Sequence, residues 1–244
     1  MPSPLNSDCR RKGPDRDRGT AAWAVVVVLL AGLLGSSREP VAAEPASPPG
    51  LAIGEWRSLF DGRGLGDWKT TPFGGGGEIT VAANAIHIPM GADLSGITWT
   101  GDHPRQSYEL ALQARRVDGS DFFCGLTFPV ADDCCSLIVG GWGGGLVGLS
   151  SVDGQDAANN ATTKVMSFEN GRWYAVLVRV TPERIECFLD GEAVVDQPLR
   201  DRIISVRDEV IPSKPLGIAS FATSAEVRDI RWRPIPAQAE PVSP

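Results

Sequence analysis

Apolar and polar side chains alternate with a period of two along most of residues 55–235. The longest example is residues 107–117, where one set of alternate positions is apolar and the other is mainly polar. The apolar set is Tyr108, Leu110, Leu112 and Ala114. Successive side chains of a strand point to opposite faces, so this pattern predicts a β-strand with one buried face. No segment has the apolar repeat of a convincing amphipathic helix.

Residues 119–154 form the centre of the predicted fold. Their first strand has a set of side chains that we expect to be buried together: Phe122, Cys124, Leu126 and Phe128. Two further apolar runs, 136–139 and 146–150, follow after turns. Each glycine inside a helix costs about 1 kcal/mol relative to Ala, so the many glycines here argue against a helix. Three consecutive antiparallel strands are predicted instead.

Residues 173–190 give the clearest hairpin, with alternating runs at 173–180 and 184–190. Asp190-Gly191 follows, and this dipeptide favours a type I′ turn because both central residues of that turn need positive φ. About a dozen short strands at regular spacing predict an all-β protein, an antiparallel β-sandwich or jelly roll.

The first 43 residues have the order of a secretory signal peptide: basic residues, an apolar run at 21–34 and small residues at 41–43. The apolar run is shorter than the roughly 20 residues of a comfortable membrane span. We therefore expect export to the periplasm or beyond the cell, with a retained N-terminal membrane anchor as the alternative. The predicted organisation is a signal peptide at 1–43, a disordered Pro-rich linker at 44–54, one β-sandwich domain at 55–235 and a flexible tail at 236–244.

Charge narrows the possible partners. Residues 1–43 hold six Lys or Arg and four Asp or Glu, so the rest of the chain has 17 basic and 26 acidic residues, a net charge of -9. An acidic domain repels the phosphate backbone, so nucleic acid is not an expected partner. A membrane is a partner only if the N-terminal apolar segment is retained.

Four cysteines follow residue 43: Cys124, Cys134, Cys135 and Cys187. Cys124 and Cys187 occupy apolar positions of predicted strands, which favours buried cysteines that act as small apolar residues. A disulfide from Cys124 to Cys134 or Cys135 is the alternative in an oxidising compartment. The spacing does not resemble a zinc site.

Two loops of the central region carry candidate ligand-binding groups. Trp142 lies among glycines, so its indole is a candidate platform for a sugar ring; a core Trp beside tightly packed strands is the alternative. The next loop gathers oxygen atoms of the kind that Ca²⁺ binds, from Asp153, Asp156, Asn159 and Asn160. Turn formation by Asp and Asn is the alternative. No cofactor other than Ca²⁺ is suggested.

Three motifs together resemble a known family. They are LFDGRGLGDWK at 59–69, WYAVLVRVTPERIECFLDG at 173–191 and PLGIASFATSAEVRDIRWRPI at 215–235. The second resembles the penultimate hairpin of laminin-G and concanavalin-like jelly rolls. Across residues 56–235 the chain resembles the 3-keto-disaccharide hydrolase domain family, formerly a domain of unknown function. The resemblance implies a jelly roll of the concanavalin/laminin-G type that cleaves glycosides oxidised at C3 of the sugar.

The chemistry that this resemblance implies needs a base, a group that stabilises an enolate and a platform for the sugar. A ketone at C3 acidifies the C2 proton, whose removal expels the group on C1 before water adds. Asp121 and Glu109 have outward parity on neighbouring predicted strands, so both are candidate bases on one sheet face. His87 is a third candidate base. Arg115 is a candidate for enolate stabilisation and Arg116 for substrate binding, although solvated carboxylates and surface ion pairs are the simpler alternatives.

Two functions remain open at this point, and both take a saccharide as partner. One is an exported hydrolase of 3-keto-glycosides, and the other is a non-catalytic glycan-binding or adhesion module of the laminin-G type. A fold of this kind hosts both functions, so the arrangement of the side chains decides between them.

Overall fold

The computed structural model describes residues 54–235. These residues form fifteen β-strands and one short 3₁₀ helix, η1, at Asp208–Ser213. In chain order the strands are β1 (Arg57–Ser58), β2 (Trp68–Thr70), β3 (Thr80–Ala82), β4 (Ala85–Ile88), β5 (Leu94–Trp99), β6 (Tyr108–Gly119), β7 (Cys124–Val130), β8 (Asp133–Gly141), β9 (Leu146–Ser150), β10 (Lys164–Val165), β11 (Tyr174–Val180), β12 (Arg184–Leu189), β13 (Glu192–Pro198), β14 (Gly217–Phe221) and β15 (Thr223–Pro234). The predicted signal peptide and tail, and all of the linker except Gly54, lie outside the described residues.

The strands form two antiparallel sheets. One has eight strands in the order β13-β12-β11-β6-β15-β4-β3, with β1 also pairing with β15. The other has seven strands in the order β10-β9-β8-β7-β14-β5-β2. The predicted all-β antiparallel sandwich of the jelly-roll class is confirmed. Within residues 54–235, no helix has the length and apolar character needed to cross a membrane.

The core lies between the two sheets and is built from alternate residues of each strand. On β6 the predicted apolar set is buried, and the residues that face it from β7 are Cys124, Leu126 and Phe128. Full burial of a Leu or Phe side chain contributes about 1.5–3 kcal/mol. The alternation read from the sequence therefore identifies the face on which the sheets pack.

The start of β7 differs from the prediction, because Phe122 is not buried with Cys124. Phe123 and Cys124 are both fully buried in the core, although they are adjacent in sequence. The strand begins only at Cys124, and the chain before it turns. Phe122 instead lies over the outer face of the seven-stranded sheet, where a Cβ on Gly125 would come 2.9 Å from its ring.

The hairpin predicted at 173–190 is present as β11 and β12. Asp190 and Gly191 have φ values of 50° and 82°, as a type I′ turn requires, and they connect β12 to β13.

All four cysteines of the described residues are buried and free, so they act as small apolar residues. Burial raises the pKa of both Cys124 and Cys135 to about 12, because the core cannot solvate a thiolate.

Candidate functional site

A cleft of about 630 Å³ lies over the outer face of the seven-stranded sheet. This volume is in the range of small-molecule sites, roughly 300–1,000 Å³. The residues that line it are Phe73, Asp93, Leu94, Asp121, Phe122, Ser136, Ile138, Trp142, Ser150, Arg207, Glu209, Val210 and Phe221. They come from four strands of this sheet (β5, β8, β9 and β14), from η1 and from loops, so the cleft depends on pairing between distant parts of the chain.

Small residues flank Ile138, which lines the cleft, on the outer face of the seven-stranded sheet. Ile138 lies between Gly125 of β7 and Gly148 of β9, its cross-strand partners. Gly125 in turn pairs with Ala219 of β14, and Ala219 pairs with Gly96 of β5. These small residues make room for groups that cover the sheet: Phe122 lies over Gly125, and an added Cβ on Gly148 would come 3.0 Å from Ala157 O.

Asp121 lies at the wall of the cleft in the loop between β6 and β7. Its Oδ1 accepts a hydrogen bond from the Phe122 N–H at 2.8 Å, and its Oδ2 accepts one from the Gly143 N–H at 3.0 Å. Its own N–H donates to Thr223 Oγ1 at 3.0 Å. The carboxylate is therefore held in one orientation, and its remaining lone pairs are available to a ligand.

Trp142 lies at the tip of the β8–β9 hairpin and is 45% exposed. Trp142 and Gly143 have φ values of 48° and 84°, the signs of a type I′ turn, and the Gly144 N–H donates to Gly141 O at 3.2 Å. We call residues 141–144 the Trp142 turn. The indole lines the cleft next to Asp121, so the predicted alternative of a core Trp is wrong.

Arg116 stabilises the Trp142 turn through hydrogen bonds to backbone carbonyl oxygens. Its guanidinium donates to the carbonyl oxygens of Asp121, Gly140 and Gly144 at 3.2, 3.2 and 2.9 Å. The side chain is buried, and this burial lowers the pKa of Arg116, while the nearby charge of Asp121 opposes the change. Arg116 is not among the residues that line the cleft. It positions the backbone that carries Trp142.

A pair of stacked rings forms another part of the wall. Phe122 and Phe221 have ring centroids 6.0 Å apart and an angle of 26° between their planes. Sequence reasoning placed Phe122 in the core and did not consider Phe73 or Phe221. The only signal for Phe122 was the adjacent Phe123, since two consecutive Phe residues cannot both lie on the same face of a strand.

Arg207 and Glu209 enter the cleft at η1 and were also missed. Arg207 Nη2 lies 2.8 Å from Glu209 Oε1, and Arg207 Nη1 lies 3.1 Å from Asp156 Oδ2. The hydrogen bond with Glu209 raises the pKa of Arg207 and lowers that of Glu209. The positively charged guanidinium of Arg207 is therefore held in place at the end of the cleft next to β9. In the same region, Ser205 and Ser151 exchange backbone hydrogen bonds.

Glu109 lies on the other sheet. It is completely buried on the outer side of the eight-stranded sheet, with Arg179 Nε at 2.9 Å and Arg233 Nε at 2.7 Å from its carboxylate. Its parity on β6 agrees with the prediction, but β6 and the seven-stranded sheet belong to different layers. The expectation that Glu109 and Asp121 share one sheet face is wrong.

His87 and Arg115 meet at the same carboxylate on the eight-stranded sheet. His87 Nδ1 lies 3.6 Å from Glu226 Oε1, and Arg115 Nη2 lies 2.6 Å from Glu226 Oε2. The Arg115 guanidinium also stacks on Trp173, 4.6 Å from the ring centroid. Neither His87 nor Arg115 is among the residues that line the cleft. The structure therefore brings Asp121 and Trp142 together and separates them from the other predicted catalytic residues.

The oxygen atoms predicted to bind Ca²⁺ have protein partners instead. Asp153 accepts from Arg202 Nη1 at 2.7 Å and from the Ile203 N–H at 2.9 Å. Asp156 accepts from Asn159 Nδ2 at 2.7 Å and pairs with Arg207. No group of three or more His, Cys, Asp or Glu side chains within residues 54–235 is arranged to hold a metal. This arrangement favours the turn-forming role of these residues.

The model of one protein family, described as the 3-keto-alpha-glucoside-1,2-lyase-like domain, matches residues 55–233. The chain belongs to this family. The match runs from just before β1 into β15, so it covers nearly the whole sandwich, and the predicted resemblance to 3-keto-disaccharide hydrolase domains is confirmed. No curated protein matches the chain.

Several solved structures share the fold of this chain. The Crh5 transglycosylase in complex with NAG has a TM-score of 0.50 and 12% identity, over 79% of this chain and 88% of that one. SCLam, a non-specific endo-beta-1,3(4)-glucanase from family GH16, has a TM-score of 0.50 and 10% identity, over 79% and 95%. At such identities the similarity shows the fold alone. The family match, together with this fold, makes the chain a carbohydrate-related jelly-roll domain.

Proposed function

We propose that the protein cleaves glycosides whose sugar carries a ketone at C3, by elimination, with Asp121 as the base. The observation that supports this most is the position of the Asp121 carboxylate. It lines the cleft beside the exposed indole of Trp142, and two backbone N–H groups fix its orientation. A base has to lie within hydrogen-bond reach of the proton it removes, in a cleft that binds the substrate.

In the proposed reaction, Asp121 accepts the proton on C2, and the C2–H electron pair moves onto the C3 carbonyl oxygen as an enolate. The carbonyl then re-forms, a C1=C2 double bond appears, and the C1–O bond breaks with its electron pair on the leaving oxygen. That oxygen takes up one proton, which balances the one removed from C2. The products are an unsaturated ketone and an alcohol, and addition of water across the double bond gives the free 3-keto sugar.

Arg207 is the group in the cleft best suited to stabilise the enolate. It is the one Arg or Lys among the lining residues, and its contacts with Glu209 and Asp156 keep it charged and in place. A positioned cation that meets developing negative charge is a common source of transition-state stabilisation. Trp142 provides an exposed ring on which the sugar stacks.

The test uses the purified protein with methyl 3-keto-glucoside and 3-keto-trehalose, and with the parent sugars that lack the ketone as controls. We expect released sugar and a new enone absorbance only from the keto substrates. Asp121→Asn keeps the size of the side chain but removes the base, so kcat falls by about 10²- to 10⁴-fold. Asp118→Asn is the matched control, since Asp118 is exposed at the end of β6 and outside the cleft lining. Full activity of Asp121→Asn rules out this base, and no turnover of either keto substrate rules out the reaction.

Glycan binding without catalysis is the second candidate function. The observation that favours it is the exposed indole of Trp142 in the lining of the cleft, which also suits a saccharide bound as a simple ligand. In that case the protein binds unoxidised saccharides with measurable affinity, and Trp142→Ala abolishes binding while Asp121→Asn leaves it unchanged.

Export belongs to the same proposal and rests on the sequence of residues 1–43. Cell fractionation with N-terminal sequencing of the mature protein tests it. A processed, soluble periplasmic or extracellular protein supports cleavage of the signal peptide, and an unprocessed membrane-bound protein supports the N-terminal anchor instead.

A further inference from the structure

We propose that one end of the cleft is a subsite for an aromatic leaving group, so that the substrates are uncharged 3-keto-glycosides of aromatic alcohols. This inference rests on the proposed function, because it places the leaving group relative to Asp121. It follows from the unequal distribution of polar and apolar side chains along the cleft.

The polar end of the cleft lies over β8, β9 and η1 and carries Ser136, Ser150, Arg207 and Glu209, next to the apolar Ile138 and Val210. Ser150 Oγ is buried and has no hydrogen-bond partner among the described residues. A buried hydroxyl without a partner is costly, so a ligand hydroxyl that pairs with it gains affinity. Sugar hydroxyls therefore belong at this end.

The apolar end lies across β14, β5 and the loop after β2, and it consists of Phe73, Leu94 and Phe221. The nearby Asp93 is exposed, so its carboxylate belongs to the rim. A sugar at this end would leave its hydroxyls desolvated against hydrocarbon, which costs binding energy for each unpaired group. A hydrocarbon ring in the same place gains from burial.

The shape of this end suits a flat ring. The Phe122 and Phe221 rings are nearly parallel, at 26°, and their centroids are 6.0 Å apart. A ligand ring can extend this stack toward Phe73 with the offset or edge-to-face geometry that aromatic rings prefer. Asp121 precedes Phe122 directly, so a sugar at the polar end and a ring at the apolar end place the glycosidic bond near the base.

The charge of the cleft favours an uncharged substrate. Its lining contains the carboxylates Asp93, Asp121 and Glu209 and the single cation Arg207, which is already paired with Glu209. An anionic leaving group, such as a sugar acid or a phosphate, would meet repulsion along the cleft.

The experiment compares benzyl and methyl 3-keto-α-glucosides on the full-length protein. Both release primary alcohols of similar acidity, so a difference in kcat/KM reports contacts with the ring and not leaving-group chemistry. We expect benzyl to be favoured about 10- to 100-fold, as burial of a phenyl group implies. Phe73→Ala and the conservative Phe221→Leu each reduce this ratio. Ile203→Ala, at an apolar residue that is 72% exposed and outside the cleft lining, leaves the ratio unchanged.

Binding to Asp121→Asn separates this inference from the proposed reaction, because the affinities of the two glycosides can be measured by calorimetry without chemistry. Turnover of both glycosides with a ratio near one overturns the aromatic subsite and leaves the elimination intact. No turnover, with benzyl bound at least about 10-fold more tightly, overturns the reaction and keeps the subsite. Neither turnover nor preferential binding overturns both.

Discussion

Glu109 is a fully buried carboxylate whose contacts explain why it is stable there. Arg179 and Arg233 donate charged hydrogen bonds to its two oxygens, and Arg179 is itself buried. An ion pair in the interior offsets its desolvation only when both partners are present. Each of these three side chains depends on the others.

We therefore expect Glu109→Gln to lower the free energy of unfolding by about 3–5 kcal/mol, because it leaves buried guanidinium charge without its carboxylate. The matched control is Glu186→Gln, whose carboxylate lies 3.6 Å from Arg179 Nη1 and is partly exposed; a loss of about 0–1 kcal/mol is expected there. Urea unfolding followed by circular dichroism measures both. Equal effects of the two substitutions would contradict the buried network.

The same residue shows a limit of sequence reasoning at this scale. Alternation gave the parity of Glu109 correctly, since it lies opposite the core face of β6. Parity does not indicate which sheet a strand joins. It also does not indicate that Arg179 and Arg233, 70 and 124 positions away in the sequence, bind the Glu109 carboxylate. The same argument selected Asp121, which lines the cleft, and Glu109, which does not: both are polar residues next to a buried pattern.

At the scale of elements, the Trp142 turn depends on Arg116. Three carbonyl oxygens around the turn accept from one guanidinium, and an added Cβ at Gly140 would come 2.6 Å from Arg116 Nη2. The glycines of this segment therefore make room for the arginine as well as for the turn.

Arg116→Lys tests this support. Lysine keeps the charge but cannot reach three acceptors in the planar geometry of a guanidinium. We expect faster amide hydrogen exchange in residues 140–145, by about 10-fold or more if one net hydrogen bond of 1.5 kcal/mol is lost. Under the proposed function, KM for a 3-keto-glycoside should rise as well. Unchanged exchange in this segment would show that the hairpin holds its shape without the arginine.

Elements close together in sequence were the easiest to predict. The β11–β12 hairpin and the Asp190-Gly191 turn follow from alternation and from a single dipeptide. The cleft could not be found in this way, because Phe73, Arg207 and Phe221 line one cleft only after strands far apart in the chain have paired, such as β14 with β5 and β7. Loops lack a repeating apolar pattern, so their sequence does not indicate which part of the sheet they cover.

At the scale of the whole molecule, the core thiols make stability depend on alkaline pH. The pKa of Cys124 and Cys135 is about 12 in the folded protein and lies near 9 for an unburied thiol. The unfolded chain therefore loses these protons first as pH rises. The stability that the neutral thiols contribute is fully present below about pH 9 and is lost between about pH 9 and pH 12.

We expect the free energy of unfolding to be constant near neutral pH and to fall above pH 9, by up to about 1.4 kcal/mol per pH unit for each thiol. Urea titrations at pH 7.5, 9 and 10.5 measure the slope. Cys124→Ala with Cys135→Ala lowers stability at every pH but should show a shallower slope. An identical slope in this double variant would assign the alkaline loss to other groups, such as Tyr108, whose pKa burial also raises.

One four-residue turn holds both residues on which the proposed function depends. The Trp142 turn carries the indole and also, through Gly143, the N–H that orients Asp121. Any insertion or deletion at the tip of this hairpin shifts the indole and the Asp121 carboxylate at the same time. If Asp121 is the base as we propose, divergence among relatives in the length of this tip should alter their choice of sugar and their turnover together, as one inherited trait.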